Sequence, residues 1–155
     1  MAEILKRRLK QSKFESGEQE AILNILVCSN HIKNRVDAAC SKSGITVSQY
    51  NVLRILKGKY PDGYARFDII SRMIDPAPDV TRLIDRLINQ GLVERFTSDT
   101  DRRLSMARIT EKGIDLLSHI KPQIDALNDL ISNNLNSNET DKLSSLLEKI
   151  YADLF

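Results

Sequence analysis

Along the first half of the chain, apolar residues recur at steps of three and four, the period of a helix with one buried face. Ile22, Ile25, Ile32, Val36 and Ala39 form such a stripe, widened by Leu26, Val27 and Cys28. No proline or glycine interrupts residues 18–43, and Gly44 closes the stretch. A helix of about 26 residues spans roughly 39 Å, longer than a small core requires, so part of its apolar face is expected to meet another subunit. Thr46-Val47-Ser48-Gln49 then reads as a capping box, with Ile45 and Tyr50 placed to staple it. The helix it opens carries Val52, Leu53, Ile55 and Leu56 inward and stops at Gly58. A turn at Tyr60-Pro61-Asp62-Gly63-Tyr64 follows. Phe67, Ile70, Met73 and Ile74 mark a short helix over 66–74, ended by Asp75-Pro76.

The segment 75–109 organises the rest. Val80, Leu83, Ile84, Leu87 and Ile88 form one helical face, which places Arg82, Asp85, Arg86 and Asn89 together on the other. Pro78 suits the first helical position, Asp79 complements the dipole of the first turn, and Gly91 is the expected stop. Two alternating stretches, 92–97 and 104–109, are joined by a polar turn that contains Arg102-Arg103. Thr110 then caps a long helix that runs through Leu117, Ile120, Ile124, Leu127 and Ile131, kinked at Pro122. A polar break at 132–138 leads to a last helix. Asn138 is its expected cap, Asp141 takes the third position, and Leu143, Leu146, Leu147, Ile150 and Leu154 point inward. The pattern predicts a mainly α chain with a small β-hairpin. Two short helices around a tight turn, followed at once by a hairpin with a basic tip, have the layout of a winged helix-turn-helix.

Composition narrows the classes of function. With 155 residues, 41% hydrophobic and 28% charged, the chain fits one globular domain plus extensions. It shows no apolar run of membrane-spanning length and no signal-peptide pattern, so a cytoplasmic location is expected. The net charge of +2 is small, but its distribution is uneven. Lys and Arg against Asp and Glu number 11 to 6 over residues 1–65, 8 to 7 over 66–108 and 4 to 8 over 109–155. Polyanion binding therefore has to act through a few placed arginines rather than a general field. Lys6-Arg7-Arg8-Leu9-Lys10 and Lys13 make residues 1–17 a basic N-terminal arm, solvated or in contact with phosphate.

Candidate chemistry is sparse. Cys28 and Cys40 lie about 18 Å apart along one helix by rise alone and cannot pair within it; both are expected as buried structural thiols. His31 and His119 are isolated, without partners at metal-ligand spacing. Tyr50, Tyr60 and Tyr64 are expected to line the core or a pocket. No Gly-rich phosphate loop, nucleophile–base pair or cofactor motif is present, so no enzymatic activity, cofactor or metal is expected.

Four pieces in order carry a resemblance that covers most of the chain from about residue 18. Val80-Thr81-Arg82-Leu83-Ile84-Asp85-Arg86-Leu87, Gly91-Leu92-Val93-Glu94-Arg95, Asp99-Thr100-Asp101-Arg102-Arg103 and Ile109-Thr110-Glu111-Lys112-Gly113 closely resemble the MarR-type (multiple antibiotic resistance regulator) transcription factors. The resemblance implies one domain over 18–155: a dimerisation helix at 18–43, a winged-helix DNA-binding lobe at 46–109, and C-terminal dimerisation helices at 110–155. It implies a homodimer on palindromic double-stranded DNA, acting as a repressor that a small molecule or oxidant releases. Mapped onto this chain, Pro78, Asp79, Thr81, Arg82 and Arg86 fall on the helix that enters the major groove, with Thr81 and Arg82 the best candidates for contact. Arg102 and Arg103 fall on the wing, where an Arg takes the minor groove and Asp101 holds it in place. Arg86 has a second possible role, bracing the wing from inside the domain. The turn Asp75-Pro76-Ala77-Pro78-Asp79 departs from the Ser or Thr that many relatives carry. The alternative reading is a winged-helix protein-interaction module that does not bind DNA.

Overall fold

The computed structural model describes residues 3–75, 79–98 and 103–154. Pro78, Asp101 and Arg102 lie outside the described residues, as do Asp99 and Thr100. In chain order the elements are α1 (Glu3–Leu9), α2 (Gly17–Lys42), α3 (Val47–Lys57), β1 (Tyr64–Ala65), α4 (Arg66–Ile70), α5 (Val80–Asn89), β2 (Val93–Thr97), β3 (Ser105–Ile109), α6 (Glu111–Ser132) and α7 (Ser137–Tyr151), with a 3-10 turn at Ala152–Leu154. The chain is thus mostly helical with a small antiparallel sheet. No described helix is long and apolar enough to cross a membrane.

Capping chemistry sets most helix starts. Thr46 accepts from the Gln49 amide while the Gln49 side chain accepts from the Thr46 amide, the reciprocal box expected from the sequence. Thr110 accepts from Gly113 N at 3.2 Å and starts α6. Pro122 is accommodated inside that one continuous helix. The last helix begins two residues earlier than expected: Asn136 and Glu139 form its capping box, so Asn138 falls in the first turn. Asn136, Ser137 and Asn138 all carry capping oxygens, and only Asn136 has Glu three positions on.

Three further departures have local causes. Part of the basic arm folds as α1, where Glu3 precedes Lys6, Arg7 and Arg8 along the helix dipole and Leu5 is buried. Helix α4 ends at Ile70 rather than continuing to Ile74. Ser71 Oγ and Arg72 Nη1 both donate to the Asp68 carbonyl, at 3.1 and 2.8 Å, and satisfy it without another helical turn. Among the described residues the sheet has three strands in the order β1-β3-β2, one more than the hairpin alone. Tyr64 pairs with Ala107 and Ala65 with Met106, while Val93 to Thr97 pair with Ile109 to Ser105.

The core lies where α3, α5, α6 and the sheet converge: Val52, Leu53, Leu56, Ile69, Leu87, Val93, Ile109 and Ile120 are all essentially inaccessible. Helix α5 contributes Val80, Ile84 and Leu87. Burial is worth roughly 1.5–3 kcal/mol for each side chain of this size, and that packing holds a ten-residue helix too short to persist alone. Outside this core, apolar side chains remain open on the terminal helices. Ile4 on α1, Ile22 and Leu26 on α2, and Leu143, Leu146 and Ile150 on α7 are exposed, and α7 has no buried residue at all.

Candidate nucleic-acid interface

Helix α5 is fixed firmly at one end. Its cap residue Gln90 accepts from Gln49 Nε2 at 3.4 Å and donates to the Gly44 carbonyl at 3.5 Å, and its own carbonyl accepts from Lys112 Nζ at 2.8 Å. Thr110 Oγ1 donates to the Gly91 carbonyl at 2.8 Å. Lys112 and Thr110 thus satisfy carbonyls just past the helix end, while Gln49 and Gly44 hold the Gln90 side chain.

At the opposite end, Asp79 is the N-cap, one position before the helix rather than inside its first turn. Its Oδ1 accepts from Arg82 N at 3.1 Å and its Oδ2 pairs with Arg82 Nε at 2.9 Å. The carboxylate that starts the helix thus also collects the guanidinium one turn on. This pair is largely exposed, so it is held weakly and can open to a competing phosphate or base. Arg86 is exposed on the same face one turn later and makes no ion pair with the described residues.

Thr81 faces a cleft of about 510 Å³ between α4, the start of α5 and the hairpin. Arg66, Phe67, Thr81, Arg95 and Arg103 line it, over a floor that includes Ile84 and Ala107. Arg66 Nη1 donates to Thr81 Oγ1 at 3.3 Å. Arg95 of β2 pairs with Asp85 of α5 at 2.8 Å. The bracing role considered for Arg86 therefore falls to Asp85 and Arg95.

Of the residues singled out from sequence, the fold brings Thr81 and Arg103 to one cleft and leaves Arg82 and Arg86 on the adjoining outer face. Arg66, Phe67 and Arg95 were missed. The approach of α4 to α5 that places Arg66 beside Thr81 leaves no mark in local spacing. On the outer side of the sheet, Arg108 pairs with its cross-strand neighbour Glu94 at 2.6 Å and lies over the Phe96 ring. That guanidinium is occupied within the sheet.

A second cavity, of about 630 Å³, lies between α2, α3, α6 and α7. Its wall is mostly apolar, with Ile25, Val36, Tyr50 and Ile131 among the lining residues. Met73, Ile74 and Asp75, which lead toward α5, close one side, and Asp75 Oδ2 pairs there with Lys33 Nζ of α2 at 3.2 Å. Tyr50 lines this cavity as expected. Tyr60 does not: it is exposed and donates to Glu111 Oε1, which raises its phenol pKa above the ordinary value. Of the two thiols expected to be buried, Cys40 is and Cys28 is not. Cys40 is fully buried, and burial, reinforced by Asp37, pushes its pKa up to about 11. Cys28 is exposed, at the cavity wall. Among the described residues, no group of three or more His, Cys, Asp or Glu is arranged to hold a metal ion.

No family model matches the sequence. Individual relatives do. The chain is 30% identical over 121 residues to the HTH-type transcriptional regulator MhqR of Bacillus subtilis, covering 77% of this chain and 81% of that one. A MarR transcription factor from Planctomyces limnophilus is 32% identical, with a TM-score of 0.65 over 88% of this chain and 98% of that one. The Staphylococcus aureus MepR–DNA complex has the same fold at 22% identity, with a TM-score of 0.74 over 83% of this chain and 94% of that one. The chain belongs to the MarR family of winged helix-turn-helix transcription regulators.

Proposed function

We propose that this regulator is a repressor that binds a palindromic operator as a homodimer and is released by a small-molecule effector. Helix α5 is the recognition helix, with Thr81 and Arg82 toward base edges of the major groove and Arg86 toward the backbone. Arg103 is the minor-groove finger of the wing, in the company of Asp101 and Arg102. A minor groove narrowed at A·T-rich DNA concentrates negative potential, which favours a guanidinium there. Asp79 sets the start of the reading helix, and Pro78 belongs to the same DNA-facing set. The observation that carries the reading is the shared cleft: the first turn of α5 and Arg103 of the hairpin face the same side of the lobe.

The open apolar faces of α1, α2 and α7 support dimerisation through the terminal helices, since contiguous exposed apolar surface marks an interaction site. A two-fold dimer presents two recognition helices about 34–36 Å apart, one turn of duplex. The 630 Å³ cavity supports effector binding, because its size and apolar wall suit a small organic molecule and one side is formed by the segment that leads to α5. The domain limits follow the same division: the dimer arms at 18–43 and 110–155, and the reading lobe at 46–109.

Selection from a random duplex library tests the proposal. A palindromic enriched sequence is expected, with affinity that falls steeply as salt rises. Arg103→Ala is expected to weaken binding to every enriched duplex, and Arg82→Gln to change which sequence is enriched. A protein-interaction module would enrich no sequence and show no such salt dependence, and that outcome would overturn the reading.

A further inference from the structure

We infer that the cleft between α4, α5 and the hairpin grips one backbone phosphodiester of the bound duplex, with Arg66 as its cation and Phe67 as its sugar contact. The inference rests on the proposed function, and it assigns residues that lie outside both the recognition helix and the hairpin tip.

Three guanidinium groups line the cleft: Arg66, Arg95 and Arg103. Arg95 is already paired with Asp85 at 2.8 Å. Arg66 has no carboxylate partner among the described residues and makes only a 3.3 Å hydrogen bond to the Thr81 hydroxyl. A neutral hydroxyl engages one of the five donors a guanidinium carries, so a fork suited to phosphate remains unused. The lining therefore carries more positive charge than it cancels, within a stretch, residues 66–108, whose charges nearly balance.

Phe67 supplies the second half of the argument. It is 76% exposed, next in sequence to Arg66, and lines the same cleft. An exposed phenyl ring beside an unneutralised guanidinium suits a group that is apolar on one side and anionic on the other. A deoxyribose phosphate has that character. The strand between two adjacent grooves presents one where α5 lies in the major groove and Arg103 in the minor.

The hydrogen bond to Thr81 allows a competing explanation, in which Arg66 acts only by orienting Thr81. The two roles differ in what they change. A phosphate contact shifts affinity uniformly across sequences and reduces the salt slope by about one. An orienting contact changes sequence preference and vanishes when Thr81 is removed.

The test uses the full chain and the enriched duplex. Arg66→Gln is expected to lower affinity about tenfold for all bound sequences, to flatten the salt dependence by about one unit of slope, and to keep its effect in a Thr81→Ala background. Phe67→Ser is expected to lower affinity with the salt slope unchanged. A second measurement has a first arm that uses wild-type protein alone. In duplexes carrying single neutral methylphosphonates, wild-type protein is expected to lose affinity at one or two positions between the grooves, and Arg66→Gln to be indifferent there. An altered sequence preference, an effect abolished by Thr81→Ala, or no sensitive position between the grooves would overturn the inference. If no duplex is enriched at all, it is the DNA-binding reading that fails.

Discussion

Asp85 of α5 and Arg95 of β2 meet at 2.8 Å, each about half exposed. The pair joins the element proposed to read the major groove to the sheet that carries the wing. A half-exposed pair of this kind is worth roughly 0–1 kcal/mol to stability, so its use lies in setting an angle. Asp85→Asn and Arg95→Gln change the local charge in opposite directions. Both are nevertheless expected to weaken DNA binding, and the double variant to add little to either single one. Fluorescence anisotropy on the enriched duplex checks this; tighter binding by Asp85→Asn would show that charge rather than angle dominates.

The Lys33–Asp75 pair joins α2, at the cavity wall, to the segment that precedes α5. Asp75→Asn is expected to lower DNA affinity roughly two- to thirtyfold, the range seen when a coupling contact is removed. The melting temperature should move little, since both partners are largely exposed. Calorimetry and anisotropy on one preparation separate the two effects.

Gly63 has φ +81°, and a Cβ built there would sit 2.3 Å from the Ala107 carbonyl oxygen. Gly63→Ala combines left-handed backbone strain with a backbone clash at the point where β1 joins the sheet. A loss of at least roughly 2 kcal/mol in urea denaturation is expected.

Burial pushes the Cys40 pKa above the ordinary thiol value of 9.0, up to about 11. Because the folded state holds this proton more tightly than the unfolded chain does, stability is unaffected below about pH 9 and declines as pH rises from 9 through 11. Cys40→Ala is expected to start from a lower stability, through lost packing, and to show a shallower decline over that window. Denaturation midpoints taken between pH 8 and 11 compare the two slopes.

Legibility of the chain followed the range of the forces involved. The Thr46–Gln49 box, the Thr110 cap and the Val80–Ile88 stripe depend on residues within a turn or two of each other, and all were readable. Strand β1 was not, because two residues become a strand only when Ala107 and Met106 are alongside. The end of α4 turned on two side chains competing for one carbonyl. Arg66 and Phe67 joined the candidate site for the same reason β1 joined the sheet: their neighbours are distant in sequence. Thr81, Arg82 and Arg103 were reached through the family's pattern rather than through charge, since the 66–108 segment is almost neutral.

The bonds from Gly44, Gln49, Thr110 and Lys112 all fall on Gln90 and Gly91, where α5 ends, whereas the residues proposed to read bases lie at its opening. Anchorage and selectivity are thus assigned to opposite ends of one rod. New operator preferences can arise by exchanging side chains around positions 79–82 while the lobe keeps its architecture, which makes this short stretch the natural place for related regulators to diverge in the promoters they control.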